Sequence, residues 1–90
     1  MERELTILNK LGLHARPAAE FVRCARRFKC TVLIRKDGAE YSAASILDVL
    51  SANLDCGSRM IVIADGPDAS QALDQLAELL VQFEKTEAES

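Results

Sequence analysis

Residues 4–8 (ELTIL) read as a short strand, which the polar Asn9-Lys10 pair and Gly12 bring to an end. Pro17 suits the first position of a following helix, because its ring holds a helical φ and its missing N–H would have no partner there. Beyond it Ala18, Phe21, Val22, Ala25 and Phe28 recur at helical spacing and form one apolar stripe, with Glu20, Arg23, Arg26 and Arg27 on the other side. The spacing predicts a helix lying on a core and showing water a basic face.

Residues 30–35 (CTVLIR) are rich in β-branched side chains, and Asp37-Gly38 supplies the dipeptide of a tight hairpin into a returning strand over residues 39–42. Ser45 and Asp48 have the spacing of a capping box ahead of Val49 and Leu50, so a short helix starts at Ser45. Residues 55–58 are a turn. Residues 59–64 (RMIVIA) form the most apolar strand, expected at the centre of the sheet. Asp68 and Gln71 make a second box-like start, and Ala69, Ala72, Leu73, Leu76, Leu80 and Phe83 keep one face of a long final helix apolar. The polar tail, residues 84–90, is expected to fray. The order is βαββαβα, an α+β domain spanning residues 1–90, with helices stacked on one face of a small mixed or antiparallel sheet.

Ninety residues suit one compact core. The net charge of −3 conceals a division: residues 1–36 hold nine of the eleven Lys and Arg, while residues 37–90 hold eleven of the fourteen Asp and Glu. Such asymmetry fits docking to acidic protein surfaces, and equally a plain solvated face. Aromatic residues are 4% of the chain, with no Trp, too few to build a base-stacking platform for nucleic acid. No apolar run approaches the ~20 residues of a membrane span, and no secretory leader is visible. Cys24, Cys30 and Cys56 include no CxxC pair, so no metal site is expected and the thiols are read as reduced, as in a cytoplasmic protein. No cofactor is implied.

The only histidine, His14, lies between Gly12 and the helix start. There the unpaired backbone N–H groups and the positive end of the helix dipole make a site for a phosphate dianion. Arg16 adds a planar cation able to hold phosphate oxygens. An imidazole there offers a ring nitrogen whose lone pair can attack phosphorus. Gly12 permits a tight turn that presents the ring outward. Each residue also has a purely structural reading: turn, solvated cation, helix starter.

The segment NKLGLHARPAAEFV closely resembles the active-site segment of the HPr family, the histidine-containing phosphocarriers of the bacterial phosphoenolpyruvate-dependent phosphotransferase system. The likeness extends through KDG at the hairpin, ASILDVL at the short helix, MIVIADG at the central strand and the Ala-Leu pattern of the last helix. It implies an open-faced sandwich of four antiparallel strands with three helices on one side. It further implies that Enzyme I phosphorylates His14 on Nδ1, that His14 passes the group to an EIIA-type acceptor in sugar uptake or regulation, and that Arg16 stabilises the phosphate. The protein would then be a monomeric carrier of a phosphohistidine, not an independent turnover enzyme.

Ser45 stands where some members take a regulatory phosphate from HPr kinase/phosphorylase. The sequence departs from their common Lys-Ser-Ile-Met-Gly by reading Ala44-Ser45-Ile46-Leu47-Asp48, and Asp48 would repel an added phosphate. By the same resemblance Ile46, Leu47 and Leu50 are apolar partner contacts with Arg23 and Arg26 around them, although Ile46 and Leu50 also have the spacing of core residues. Two rivals stay open: a paralogue serving a nitrogen-related regulatory chain, and a passive anion-binding module. An acid–base hydrolase lacks a second catalytic group beside His14.

Overall fold

The computed structural model describes residues 1–89. Its elements are β1 (Glu2–Thr6), α1 (Ala15–Arg26), β2 (Thr31–Lys36), β3 (Ala39–Ser42), α2 (Ile46–Ser51), β4 (Arg59–Asp65) and α3 (Ala69–Glu89). The strands form one antiparallel sheet in the order β1-β4-β2-β3, so the most apolar strand is interior, as its composition requires. Asp37 and Gly38, at φ 53° and 80°, turn the β2–β3 hairpin with two consecutive left-handed residues, the conformation that Asp-Gly favours.

Alternation along the strands assigns the two faces. Val32 and Ile34 from β2 and Met60, Val62 and Ala64 from β4 are buried with Phe21, Leu73, Leu76 and Leu80 in one core beneath the helices. Each large aliphatic chain so buried contributes about 1.5–3 kcal/mol. The opposite sheet face carries Glu4, Ile61, Arg35 and Glu40 in register across the four strands, an open side toward water. That side explains where β1 lies. The strand covers Glu2–Thr6, two residues before the expected span, because Glu2 and Glu4 need only solvent on the open face. Ile7 is buried beyond the strand's end, its N–H donating to Ser58 O at 2.9 Å, while Leu8 is exposed.

Helix ends and caps also differ from the pattern. Helix α1 begins at Ala15, so Pro17 is its third residue, where the N–H still has no intrahelical acceptor to lose. The helix ends at Arg26, leaving Phe28 in the following turn, half-buried against the core. Asp68 does not close a capping box on α3; its carboxylate accepts the Lys29 N–H at 2.7 Å and ties down the α1–β2 turn. Helix α3 runs through Glu89 into the polar tail of residues 84–90, and Ser90 lies outside the described residues.

The C-terminus of α2 has no basic residue of its own. Lys36, at the end of β2, supplies one: its Nζ donates to Ala52 O at 2.9 Å and Asn53 O at 2.6 Å. Lys36→Met keeps much of the stem's apolar contact and removes both donors, and is expected to lower unfolding stability by about 1–2 kcal/mol in urea denaturation. An unchanged midpoint would show that water caps these carbonyls as well.

Candidate functional site

Helix α1 opens on His14, whose extended backbone (φ −86°, ψ −166°) places it at the N-cap. Its carbonyl accepts the Ala18 N–H at 2.8 Å, the first bond of the helix. Pro17 has no N–H, and among the described residues the amides of Ala15 and Arg16 donate to nothing. No acid stands in the first turn. Two backbone donors and the positive dipole end are therefore left for an external anion. The His14, Ala15 and Arg16 side chains are exposed, and Arg16 pairs with no acid among the described residues.

The loop before His14 is held tightly. Gly12 has φ 69° and packs so closely on the loop between α2 and β4 that a Cβ there would lie 2.5 Å from Leu54 O and 2.9 Å from Asp55 Cα. The same Leu54 carbonyl accepts the Leu13 N–H at 2.8 Å, and the Leu13 side chain is buried. Anchored at Leu13, the chain turns the next side chain outward. His14 consequently stands between two shallow clefts. One, of about 340 Å³, is lined by Arg16, Pro17, Leu79 and Phe83; the other, of about 200 Å³, by Leu50, Asn53 and Asp55.

Ser45 is the N-cap of α2, its Oγ accepting the Asp48 N–H at 3.3 Å. Only that half of the expected capping box forms, since the Asp48 carboxylate accepts the Ser42 N–H at 2.9 Å instead of returning to Ser45. In α2 only Val49 is buried. Ile46 (40% exposed), Leu47 (74%) and Leu50 (39%) face outward, so the core positions open to Ile46 and Leu50 are not taken. Arg23, Arg26 and Ile46 share a groove of about 440 Å³ between α1 and α2. Leu11, 66% exposed, lines both clefts beside His14. Neither periodicity nor a motif singles out this loop leucine; only the folded surface does.

No cysteine lines either cleft beside His14. Burial pushes the Cys24 thiol up, partly offset by the Arg27 guanidinium. The Cys30 thiol is also raised, by desolvation first and then by Asp68. Neither is activated as a nucleophile. Among the described residues no His, Cys, Asp and Glu cluster could hold a metal ion, and no helix is long and apolar enough to cross a membrane.

An exposed imidazole in an anion site, with no second catalytic group joined to it, suits a protein that holds a phosphoryl group between partners. Comparison with known proteins agrees with that class. The family model described as the PTS HPr component phosphorylation site matches residues 1–82. The phosphocarrier protein HPr of Cupriavidus necator is 38% identical over 80 residues, covering 89% of this chain and 90% of that protein. The phosphocarrier protein NPr of Shewanella violacea is 38% identical over 80 residues, covering 89% and 88%. The crystal structure of an HPr from Bacillus anthracis superposes with a TM-score of 0.84 at 38% identity, covering 88% of this chain and 94% of that one. The chain belongs to the HPr family and is a phosphocarrier of the phosphotransferase system.

The close approach at Gly12 can be tested by comparison with another left-handed glycine. Gly57, at φ 87°, has open space where a Cβ would go. Gly57→Ala is expected to cost about 1–2 kcal/mol from backbone conformation alone. Gly12→Ala adds a backbone collision and should cost about 3 kcal/mol or more in chemical denaturation. Equal losses would mean that the loop can move away from Leu54 at no cost.

Proposed function

We propose that His14 is the residue that carries the phosphoryl group, received from Enzyme I at the expense of phosphoenolpyruvate and delivered to an EIIA-type protein in the cytoplasm. The observation that carries this reading is the exposed imidazole at the N-cap of α1, beside two unpaired amides and with no acid in the first turn. The Nδ1 lone pair attacks phosphorus in line as the bond from phosphorus to the donor breaks, its electron pair leaving with the donor. The new P–N bond leaves a dianion whose oxygens lie against the Ala15 and Arg16 amides and the Arg16 guanidinium. Delivery is the same displacement with the acceptor as nucleophile. Because these groups hold charge that is present on phosphorus throughout transfer, they favour holding the group over hydrolysing it.

Docking falls to the surface around the ring. Leu11, Leu47, Leu50 and Ile46 form its apolar centre, with Arg23 and Arg26 as a cationic margin that steers acidic partners. The exposed apolar side chains of α2 gather beside the site, a surface that a monomer leaves free for its partners. A second reading, service in a nitrogen-related regulatory chain, draws on the likeness to the Shewanella violacea NPr and on Asp48 following Ser45. Relative rates of delivery to sugar-type and nitrogen-type EIIA proteins separate the two.

Incubation with Enzyme I and phosphoenolpyruvate should add one phosphoryl group by intact mass, lost in acid and kept in alkali, and none to His14→Ala. Arg16→Gln should slow the addition by about tenfold or more, the loss of one charge-assisted contact to the transferred group. Labelling of His14→Ala equal to the parent's would place the phosphate elsewhere.

Ser45 is first a cap, so Ser45→Ala should cost about 1 kcal/mol of stability. As the acceptor of a regulatory phosphate it would set a charge of about −2 at the start of α2, close to the Asp48 carboxylate and to the docking surface. Ser45→Asp is accordingly expected to slow His14 phosphorylation by Enzyme I while the thermal midpoint stays near the parent's, Asp being a good cap. Identical rates for parent and Ser45→Asp would leave Ser45 a structural residue alone.

A further inference from the structure

The last turns of α3 reach back to the loop that presents His14. Glu87 accepts the Asn9 side-chain N–H on Oε2 at 2.6 Å and the Leu11 backbone N–H on Oε1 at 3.2 Å. The same Asn9 Nδ2 donates to Gly12 O at 2.7 Å, and the Gly12 N–H returns to Asn9 O at 3.1 Å. Both hydrogens of one amide are thus spent on drawing the turn closed and fastening it to α3. Asn9 is the only buried polar residue among those described, 1% exposed, and its Oδ1 has no hydrogen-bond partner. An amide buried with its oxygen unpaired is unfavourable unless the donor side is needed there. Reversing it would set Oδ1 against the Gly12 carbonyl and the Glu87 carboxylate, so its orientation is settled by its neighbours.

His14 makes no side-chain hydrogen bond among the described residues, and the aim of its ring depends on the backbone that holds it. That backbone is held from one side by Leu54 O through Leu13, and from the other by Glu87 through Leu11 and Asn9. We infer that Glu87 is a positioning residue for phosphoryl transfer: through the Asn9 amide and the Leu11 N–H it holds the Asn9-to-Gly12 turn so that His14 is presented for in-line attack. The inference rests on His14 as the phosphoryl acceptor. It assigns a function to the chain's polar end, whose composition resembles a solvated tail. A misplacement of about 1 Å at a reacting group can cost ~100-fold in rate, and loss of one of two tethers should cost a part of that.

The test uses the full chain as parent, Glu87→Ala, Glu87→Gln and Glu84→Ala, the last an exposed acid on the same helix. Amide hydrogen exchange at Leu11 is measured on each protein alone. The rate of His14 phosphorylation by Enzyme I and phosphoenolpyruvate is then measured with the carrier concentration varied. In Glu87→Ala the Leu11 amide should exchange faster and kcat should fall by roughly tenfold with KM little changed. Glu87→Gln keeps one acceptor for the Leu11 N–H but meets the Asn9 amide donor to donor, and should lie between. Glu84→Ala should match the parent. Leu11 exchange unaltered in Glu87→Ala overturns the tether. Faster exchange with an unchanged kcat overturns its part in transfer, and a rise in KM alone makes Glu87 a partner contact instead. A parent that takes no phosphate refutes the carrier reading, and Leu11 exchange still decides whether Glu87 holds the turn.

Discussion

The carbonyl of Leu54 accepts the Leu13 amide at 2.8 Å and lies where a Cβ on Gly12 would have to be. This close approach of two loops joins the end of the α2 region to the start of α1, and much of the site depends on it. With Leu13 pinned and buried, His14 must turn outward and the chain must enter α1 with its first amides free. A side chain at position 12 would push the loops apart and take the imidazole with them. Lys36 supports the arrangement from beneath, since its ammonium holds the Ala52 and Asn53 carbonyls just before Leu54.

The anion site has the economy of a carrier. Proline at the third position of α1 removes the donor there and leaves those of Ala15 and Arg16. No acid stands in the first turn, and among the described residues no acceptor takes these amides. On the proposed reading, a phosphoryl group held by backbone amides and one guanidinium is stabilised without being enclosed and stays accessible to the next partner. Shallow clefts on both sides of His14 fit that requirement better than a deep pocket would.

The surface around the ring combines two kinds of contact that arise from different elements. The arginines belong to the exposed face of α1, opposite its apolar stripe, while the exposed leucines and isoleucine belong to α2, which buries only Val49. A six-residue helix has little room for a full apolar stripe, so its remaining apolar side chains stay outside. On the reading proposed above, transient docking is what covers them.

Local chemistry made much of this legible in the chain. The Asp37-Gly38 hairpin, the Ser45 cap, the apolar stripes of α1 and α3, the interior place of β4 and the setting of His14 beside a helix start all follow from patterns a few residues long. Boundaries were less legible where local rules leave a choice: β1 carries glutamates because its outer face meets only water, and Pro17 is acceptable at any of the first helical positions. Contacts between distant residues had no signature at all. The Asn9–Glu87 bond spans 78 positions, Asp68 leaves its own helix for Lys29, Lys36 caps a helix it does not belong to, and Leu11 stands beside His14 through loop geometry. Periodicity and capping act within a turn or a strand and so are written in sequence. A polar side chain's choice among several satisfactory partners, and the face an isolated leucine shows, depend on which backbone arrives beside it once the core has closed.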